Sequence, residues 1–146
     1  MDVKQLFENF KTVVTQHYVD FNGRVGRAVF WHYILIYVAV GILLSVLRLR
    51  LLADVFGLAL FLPTLGICVR RLHDLGKSGW LVLLPAVPWF LLGAFIFIFW
   101  PFAVVAALAG LICSAYLIYL YAQPGVSGSN QFGPEPSVVA ADTSGF

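Results

Sequence analysis

The residues that could do chemistry in this chain are concentrated in Arg70-Arg71-Leu72-His73-Asp74-Leu75-Gly76-Lys77-Ser78-Gly79-Trp80. His73 beside Asp74 is the one place where acid–base work can be drawn. A histidine titrates near neutral pH, and a carboxylate can activate or orient it. Neighbouring residues on a helix point apart, however, so each would need a partner elsewhere. Asp74 is more naturally the ion-pair partner of Arg24, Arg27 or Arg71. His73 and Asp74 are the catalytic candidates, and the non-enzymatic reading ranks ahead of them. A metal-dependent phosphohydrolase needs further ligands, and His17 and His32 are the only other histidines. No metal site and no cofactor is expected. Gly76-Lys77-Ser78 is not a nucleotide-binding P-loop, because Arg71 stands where that pattern requires an earlier glycine.

Positioning this cluster falls to long apolar elements. The chain of 146 residues is 61% hydrophobic and 11% charged, against about 25% charged in soluble domains. Such a chain cannot cover itself with a water-facing surface, so its main solvent is lipid. No Lys, Arg, Asp, Glu or His occurs between Trp80 and Gln123. Cys68 and Cys113 lie inside apolar runs without metal-ligand neighbours and read as small buried hydrophobes. No cleavable signal peptide is expected, since the first apolar run follows a polar start and lacks a small-residue cleavage site.

The spacing predicts an amphipathic interfacial helix within residues 1–22, carrying Val3, Leu6, Phe7, Phe10, Val13 and Val14 on one face. It either lies in the headgroup plane or packs on the protein's own cytoplasmic face. A membrane domain over 23–122 follows, with spans at about 29–47, 51–69, 80–99 and 102–122, each near the roughly 20 residues that a bilayer requires. Arg48 and Arg50 force a tight turn between the first two, because arginine at a span centre costs about 2.5–3.5 kcal/mol. Pro63 and Gly66 should kink the second span, and Pro85 and Pro88 the third. Trp100-Pro101 divides the last two. The fold class is therefore all-α, with four transmembrane helices as two hairpins. Ala106, Gly110 and Ser114 form a ladder of small residues for close helix approach, either within the chain or in a homo-oligomer. The tail, 123–146, is expected to be largely flexible; alternatively, Asn130 to Pro136 fold over the central loop.

Lys4, Lys11, Arg24, Arg27, Arg70, Arg71 and Lys77 fall on one side of this arrangement and Arg48 and Arg50 on the other. The basic excess places the first set, and both termini, in the cytoplasm. Helix N-termini beside Arg24, Arg27, Arg70, Arg71 and Lys77, with Gly23, Gly76 and Gly79 allowing close approach, suit an anion such as a lipid phosphate. The alternative is that the arginines set topology and complete helix C-termini with no ligand. Nothing points to nucleic-acid binding, and membrane lipids are the expected partners.

Three motifs carry a resemblance: Phe21-x-Gly23-Arg24-x-x-Arg27-x-x-Phe30-Trp31, then Arg70-Arg71-Leu72-His73-Asp74-x-Gly76-x-Ser78-Gly79-Trp80, then Gly128-x-Asn130-x-Phe132-Gly133-Pro134-x-Pro136. Together they resemble the bacterial "domain of unknown function 805" inner-membrane proteins over about residues 6–136. Leu81 stands where members often have a second tryptophan. The resemblance implies a small protein of the bacterial cytoplasmic membrane and assigns no catalytic residue. Three functions stay open. The first is a non-enzymatic protein whose basic cytoplasmic face binds anionic lipid headgroups or a partner protein. The second is an enzyme acting on a lipid or isoprenoid phosphate, and the third an oligomeric pore or carrier. Gly23-Arg24 to Trp31 and Arg70-Arg71 to Trp80 each precede a helical pair, which hints at a parallel internal repeat.

Overall fold

The computed structural model describes residues 2–136. The end of the tail, 137–146, where disorder is expected, lies outside the described residues. Helix α1 spans Val3–Gln16, and the Asp2 carboxylate caps it by accepting from the Lys4 N–H at 3.0 Å. Helices α2 (Arg27–Val46), α3 (Arg50–Ala59), α4 (Phe61–Asp74), α5 (Ala86–Phe95) and α6 (Trp100–Ala122) follow. A short 3₁₀ turn, Gly79–Leu83, stands between α4 and α5. Among the described residues there is no strand beyond one bridge between Asn130 and Gly133.

Two helices, α2 and α6, are long and apolar enough to cross a membrane, and α3 with α4 makes a third if the bent pair is one span. Leu47 to Leu49 form the expected tight turn, with Arg48 at a positive φ of 56°. The second expected span is broken at Leu60 with a bend of 47°. Proline explains the break. Pro63 has no N–H to give the Ala59 carbonyl, and the Tyr18 hydroxyl donates to that carbonyl instead.

The third expected span, 80–99, is not a continuous helix. The Ser78 side chain accepts from the Trp80 N–H and starts the 3₁₀ turn. Pro85 stands at the N-cap of α5, and α5 has only 10 residues, about 15 Å of rise. Two prolines so close together interrupt the backbone ladder that one long helix would need. Among the described residues the architecture is all-helical and apolar, with two helices of spanning length, or three with the bent pair, in place of four continuous ones.

Packing follows the small and aromatic residues. The Gly110 α-carbon lies against the Trp89 indole, whose Nε1–H donates to Ser114 Oγ at 3.2 Å. With Ala106 also buried, the small-residue ladder on α6 takes up α5 of the same chain. Helix α1 packs on α2: Leu6 and Val13 are buried, Phe10 stacks on Tyr33 at 5.3 Å, and Asn9 hydrogen-bonds His32 at 2.8 Å. Tyr33 also hydrogen-bonds Thr64 at 2.8 Å, tying α2 to α4. Large apolar side chains on α2, α3, α5 and α6, such as Ile42, Leu58, Phe90 and Ile112, point outward, the pattern of lipid-facing surfaces.

Candidate functional site

The end of α4 is built to stop where it does. Gly76 takes φ +67°, its N–H donates to the His73 carbonyl at 3.0 Å, and the Lys77 N–H donates to the Leu72 carbonyl at 2.9 Å. This is a Schellman ending, which calls for glycine at the left-handed position. It leaves Arg71, His73 and Asp74 in the last turn of α4, with Arg70 just before them, facing three different neighbours.

Asp74 and Arg71 face inward. Asp74 is buried, and it pairs with Arg24 and Arg71 rather than Arg27. One carboxylate oxygen takes Arg24 Nε at 3.0 Å; the other takes Arg71 Nη1. Arg71 is 0% exposed. Its Nε donates to the Tyr121 carbonyl at 3.1 Å and its Nη2 to the Gln123 carbonyl, at the end of α6. Those carbonyls are the ones a helix leaves unpaired, and a cation there also meets the negative end of the helix dipole. The remaining Arg24 donors go to the carbonyls of Gly128, at 2.6 Å, and Val126. Two arginines share one carboxylate, and backbone oxygens supply the rest of the compensation. Arg24 and Arg71 thus spend their hydrogen bonds inside the protein, as a lock joining the 21–26 loop, α4, the end of α6 and the tail.

The tail segment 124–136 closes over this lock. Val126 N–H donates to the Asp74 carbonyl at 2.9 Å, and Asn130 Nδ2 donates to the His73 carbonyl at 2.8 Å. Asn130 and Gly133 exchange backbone bonds at 3.0 Å, with Gly133 at φ +128°. Phe132 stacks flat on the His73 ring with centroids 3.9 Å apart. Pro134 follows at the exposed end of this turn. A Cβ at Gly125 would stand 2.2 Å from Asp74 Oδ2, so only glycine lets the tail approach. Nothing in the local sequence around Gly125 signals that role, because its cause is a side chain distant in the chain.

His73 and Asp74 turn to different partners. Both Asp74 oxygens are held by arginines, while His73 Nδ1 lies 3.2 Å from the Gly23 carbonyl. Gly23 itself turns at φ +77°. Gly79 is required where α4 meets the 3₁₀ turn, since a Cβ there would lie 2.6 Å from a Val69 methyl. Trp80 is highly exposed, and Trp31 packs edge-on against Phe30 at 5.3 Å. Lys77 is half-buried and enters no ion pair among the described residues.

Arg70 faces a different space. It is only 7% exposed, yet its Nε and Nη1 have no hydrogen-bond partner among the described residues. Its sole counter-charge there is the Asp20 carboxylate, 4.0 Å from Nη1 and beyond hydrogen-bond distance. Burial pushes the Asp20 carboxyl up, but the Asn22 N–H, His17 and the Arg70 charge more than offset this and hold it below its ordinary value. Arg70 lines a cavity of about 580 Å³ together with Asn9, Thr12, Arg27, Ala28 and Val29. The last three are the first turn of α2, whose N-cap, Gly26, provides no side-chain cap. Their N–H groups are the unpaired donors of a helix start, at its positive end. Arg27 is exposed at the mouth, reaching the Ala122 carbonyl only at 3.5 Å. A buried guanidinium, a second arginine and a free helix N-terminus thus converge on one cavity.

Comparison with known proteins accords with the membrane architecture. The family model described as "Protein of unknown function (DUF805)" matches residues 18–134. The inner membrane protein YhaI of Escherichia coli (strain K12) is 34% identical over 129 residues, 84% of this chain and 91% of that protein. The inner membrane protein YhaH of the same strain is 30% identical over 135 residues, 86% of this chain and 93% of that one. The protein YiiR of that strain is 35% identical over 130 residues, 84% and 89% of the two chains. No solved structure is significantly similar. The three motifs around the arginine lock lie within or at the edge of the matched span, and the chain is an inner-membrane protein that belongs to the DUF805 family.

Proposed function

We propose that this is a four-pass inner-membrane protein, both termini cytoplasmic, whose cytoplasmic cap binds the phosphate group of an anionic lipid in the Arg70 cavity. The observation that carries the reading is Arg70 itself. A buried guanidinium with two nitrogens lacking hydrogen bonds, and only the Asp20 carboxylate at 4.0 Å for counter-charge, is costly, and a chain that keeps one beside a free helix N-terminus has a place for an anion. Arg27 at the mouth adds a second positive charge, and the α2 amides add donors that match phosphate oxygens. Arg24 and Arg71 support the site indirectly, by holding α4 against the 21–26 loop. Lys77 belongs to the surrounding basic surface that attracts anionic headgroups at about 1 kcal/mol per charge.

The four-pass arrangement draws its support from where the helix ends meet. The start of α2, the end of α4 and the end of α6 are brought together by the arginine lock. Phe95, at the end of α5, packs on Phe102, near the start of α6. The bent α3–α4 pair then serves as the second pass, and Gly79–Phe95 as a short third one. The basic excess assigns the lock to the cytoplasmic side.

The test is thermal unfolding of purified protein, wild type and Arg70→Gln, titrated with phosphatidic acid and separately with inorganic phosphate. A ligand of the native state raises the unfolding temperature. Wild type should gain with phosphatidic acid, and Arg70→Gln should not. Because the one counter-ion of Arg70, Asp20, is 4.0 Å away and partly exposed, the variant should lose little stability without ligand. An equal rise in both proteins overturns the reading. A rise with inorganic phosphate as large as with the lipid would assign the cavity to a soluble phosphate instead.

A further inference from the structure

On the other side of the 21–26 loop lies a second cavity, of about 520 Å³, a size within the range of roughly 300–1,000 Å³ for small-molecule sites. Phe21, Leu65, Val69 and Trp80 form apolar walls, and His73 and Ser78 bring the polar atoms. The His73 ring is fixed on two sides. Phe132 stacks on its face, and Nδ1 lies 3.2 Å from the Gly23 carbonyl oxygen. A carbonyl oxygen only accepts, so Nδ1 carries the proton of the neutral ring. Nε2 is then a bare acceptor, with no partner among the described residues, beside Gly79 on the cavity wall. The Ser78 hydroxyl oxygen accepts from the Trp80 N–H at 3.4 Å, which leaves its own proton free to donate.

We propose that this cavity binds a neutral single-chain lipid alcohol. Its hydroxyl donates to His73 Nε2 and accepts from Ser78, and its chain lies along Phe21, Leu65 and Val69. The chemistry selects this occupant over the alternatives. A plain hydrocarbon chain would leave Nε2 of the half-buried His73 without a donor against the apolar walls. An anionic headgroup would turn oxygen lone pairs toward the Nε2 lone pair. A hydroxyl supplies, on one atom, the donor that Nε2 lacks and an acceptor for the Ser78 proton. Access suits a ligand that partitions into the bilayer, because Trp80, on the cavity wall, is 79% exposed where the apolar run begins. The site stands apart from the Arg70 cavity, and neither proposal depends on the other.

The test uses Trp80 as the reporter, with the full chain in nanodiscs. A long-chain ω-bromo alcohol and its methyl ether are titrated, and the Trp80→Phe variant gives the background from the other tryptophans. The ether keeps the chain and an acceptor and loses only the donor. The alcohol should quench Trp80 saturably and bind roughly fivefold more tightly than the ether, the worth of one net hydrogen bond. His73→Phe keeps an aromatic ring for Phe132 and removes the acceptor, so it should bring the alcohol down to the level of the ether. Equal quenching by alcohol and ether in wild type would overturn the proposal without relying on any His73 variant. So would an alcohol preference that survives His73→Phe, or the absence of saturable quenching, which would mean a crevice filled by bulk lipid.

Discussion

Asp74 is the residue on which the cytoplasmic cap turns. Its two oxygens pair with Arg24 and Arg71, both buried, and no other carboxylate reaches either arginine among the described residues. Asp74→Asn keeps the shape and removes the charge, leaving two guanidinium groups with one amide oxygen and the backbone carbonyls. Breaking a buried pair in this way costs about 3–5 kcal/mol, and the loss should appear as a lower unfolding temperature in detergent. Replacing Lys77 with Gln, by contrast, should change stability by no more than about 0.5 kcal/mol, because no ion pair is lost. The sequence made the Arg–Asp pairing legible, since an Asp flanked by arginines in a charge-poor chain has few other partners. It did not separate Arg70 from Arg71. The two are adjacent and chemically alike, and only the rotation of α4 sends one into the lock and the other into a cavity.

At the scale of elements, proline and glycine divide the work. The tight turn at Arg48 and the start of α6 at Trp100-Pro101 were visible in the chain, because charge and proline act locally there. The break in the second span was visible only in part. Pro63 announces a kink, but its position at Leu60 depends on the Ala59 carbonyl and on Tyr18 reaching it from another segment. The shortness of α5 reflects Pro85 and Pro88 acting together, which a hydropathy run conceals. Gly125 was illegible for a different reason. The tail can lie on α4 only if nothing projects toward Asp74. Gly125→Ala should therefore detach the tail or displace the carboxylate, at a cost of about 1–3 kcal/mol. Amide hydrogen exchange at Val126, whose N–H donates to the Asp74 carbonyl, is the direct measurement, and protection there should fall.

For the whole molecule, the decisive question is which way each segment crosses. Single cysteines at Lys11 and Gln131, in a background with Cys68 and Cys113 replaced, should react with a membrane-impermeant thiol reagent only after the cytoplasmic side is opened. A cysteine at Arg48 should react from outside in intact cells. Labelling of Arg48 and Gln131 from the same side would remove the even number of passes and with it the four-pass reading. An all-helical membrane chain was legible from composition alone. Which basic residues stay solvated was not, because a positive charge at a membrane boundary has the same signature in the sequence whether it faces water, lipid phosphate or a buried carboxylate.

The lock also has a place in time. Its parts come from Arg24 near the beginning of the chain, Arg71 and Asp74 in the middle, and the carbonyls of Tyr121 to Gly128 near the end. During synthesis the chain emerges in that order, so the two arginines wait, incompletely satisfied, until the last helix and the tail have been made. Only a finished chain can shut its own cap. A chain cut short before Gln123 would lack the Gln123, Val126 and Gly128 carbonyls and leave both arginines short of partners.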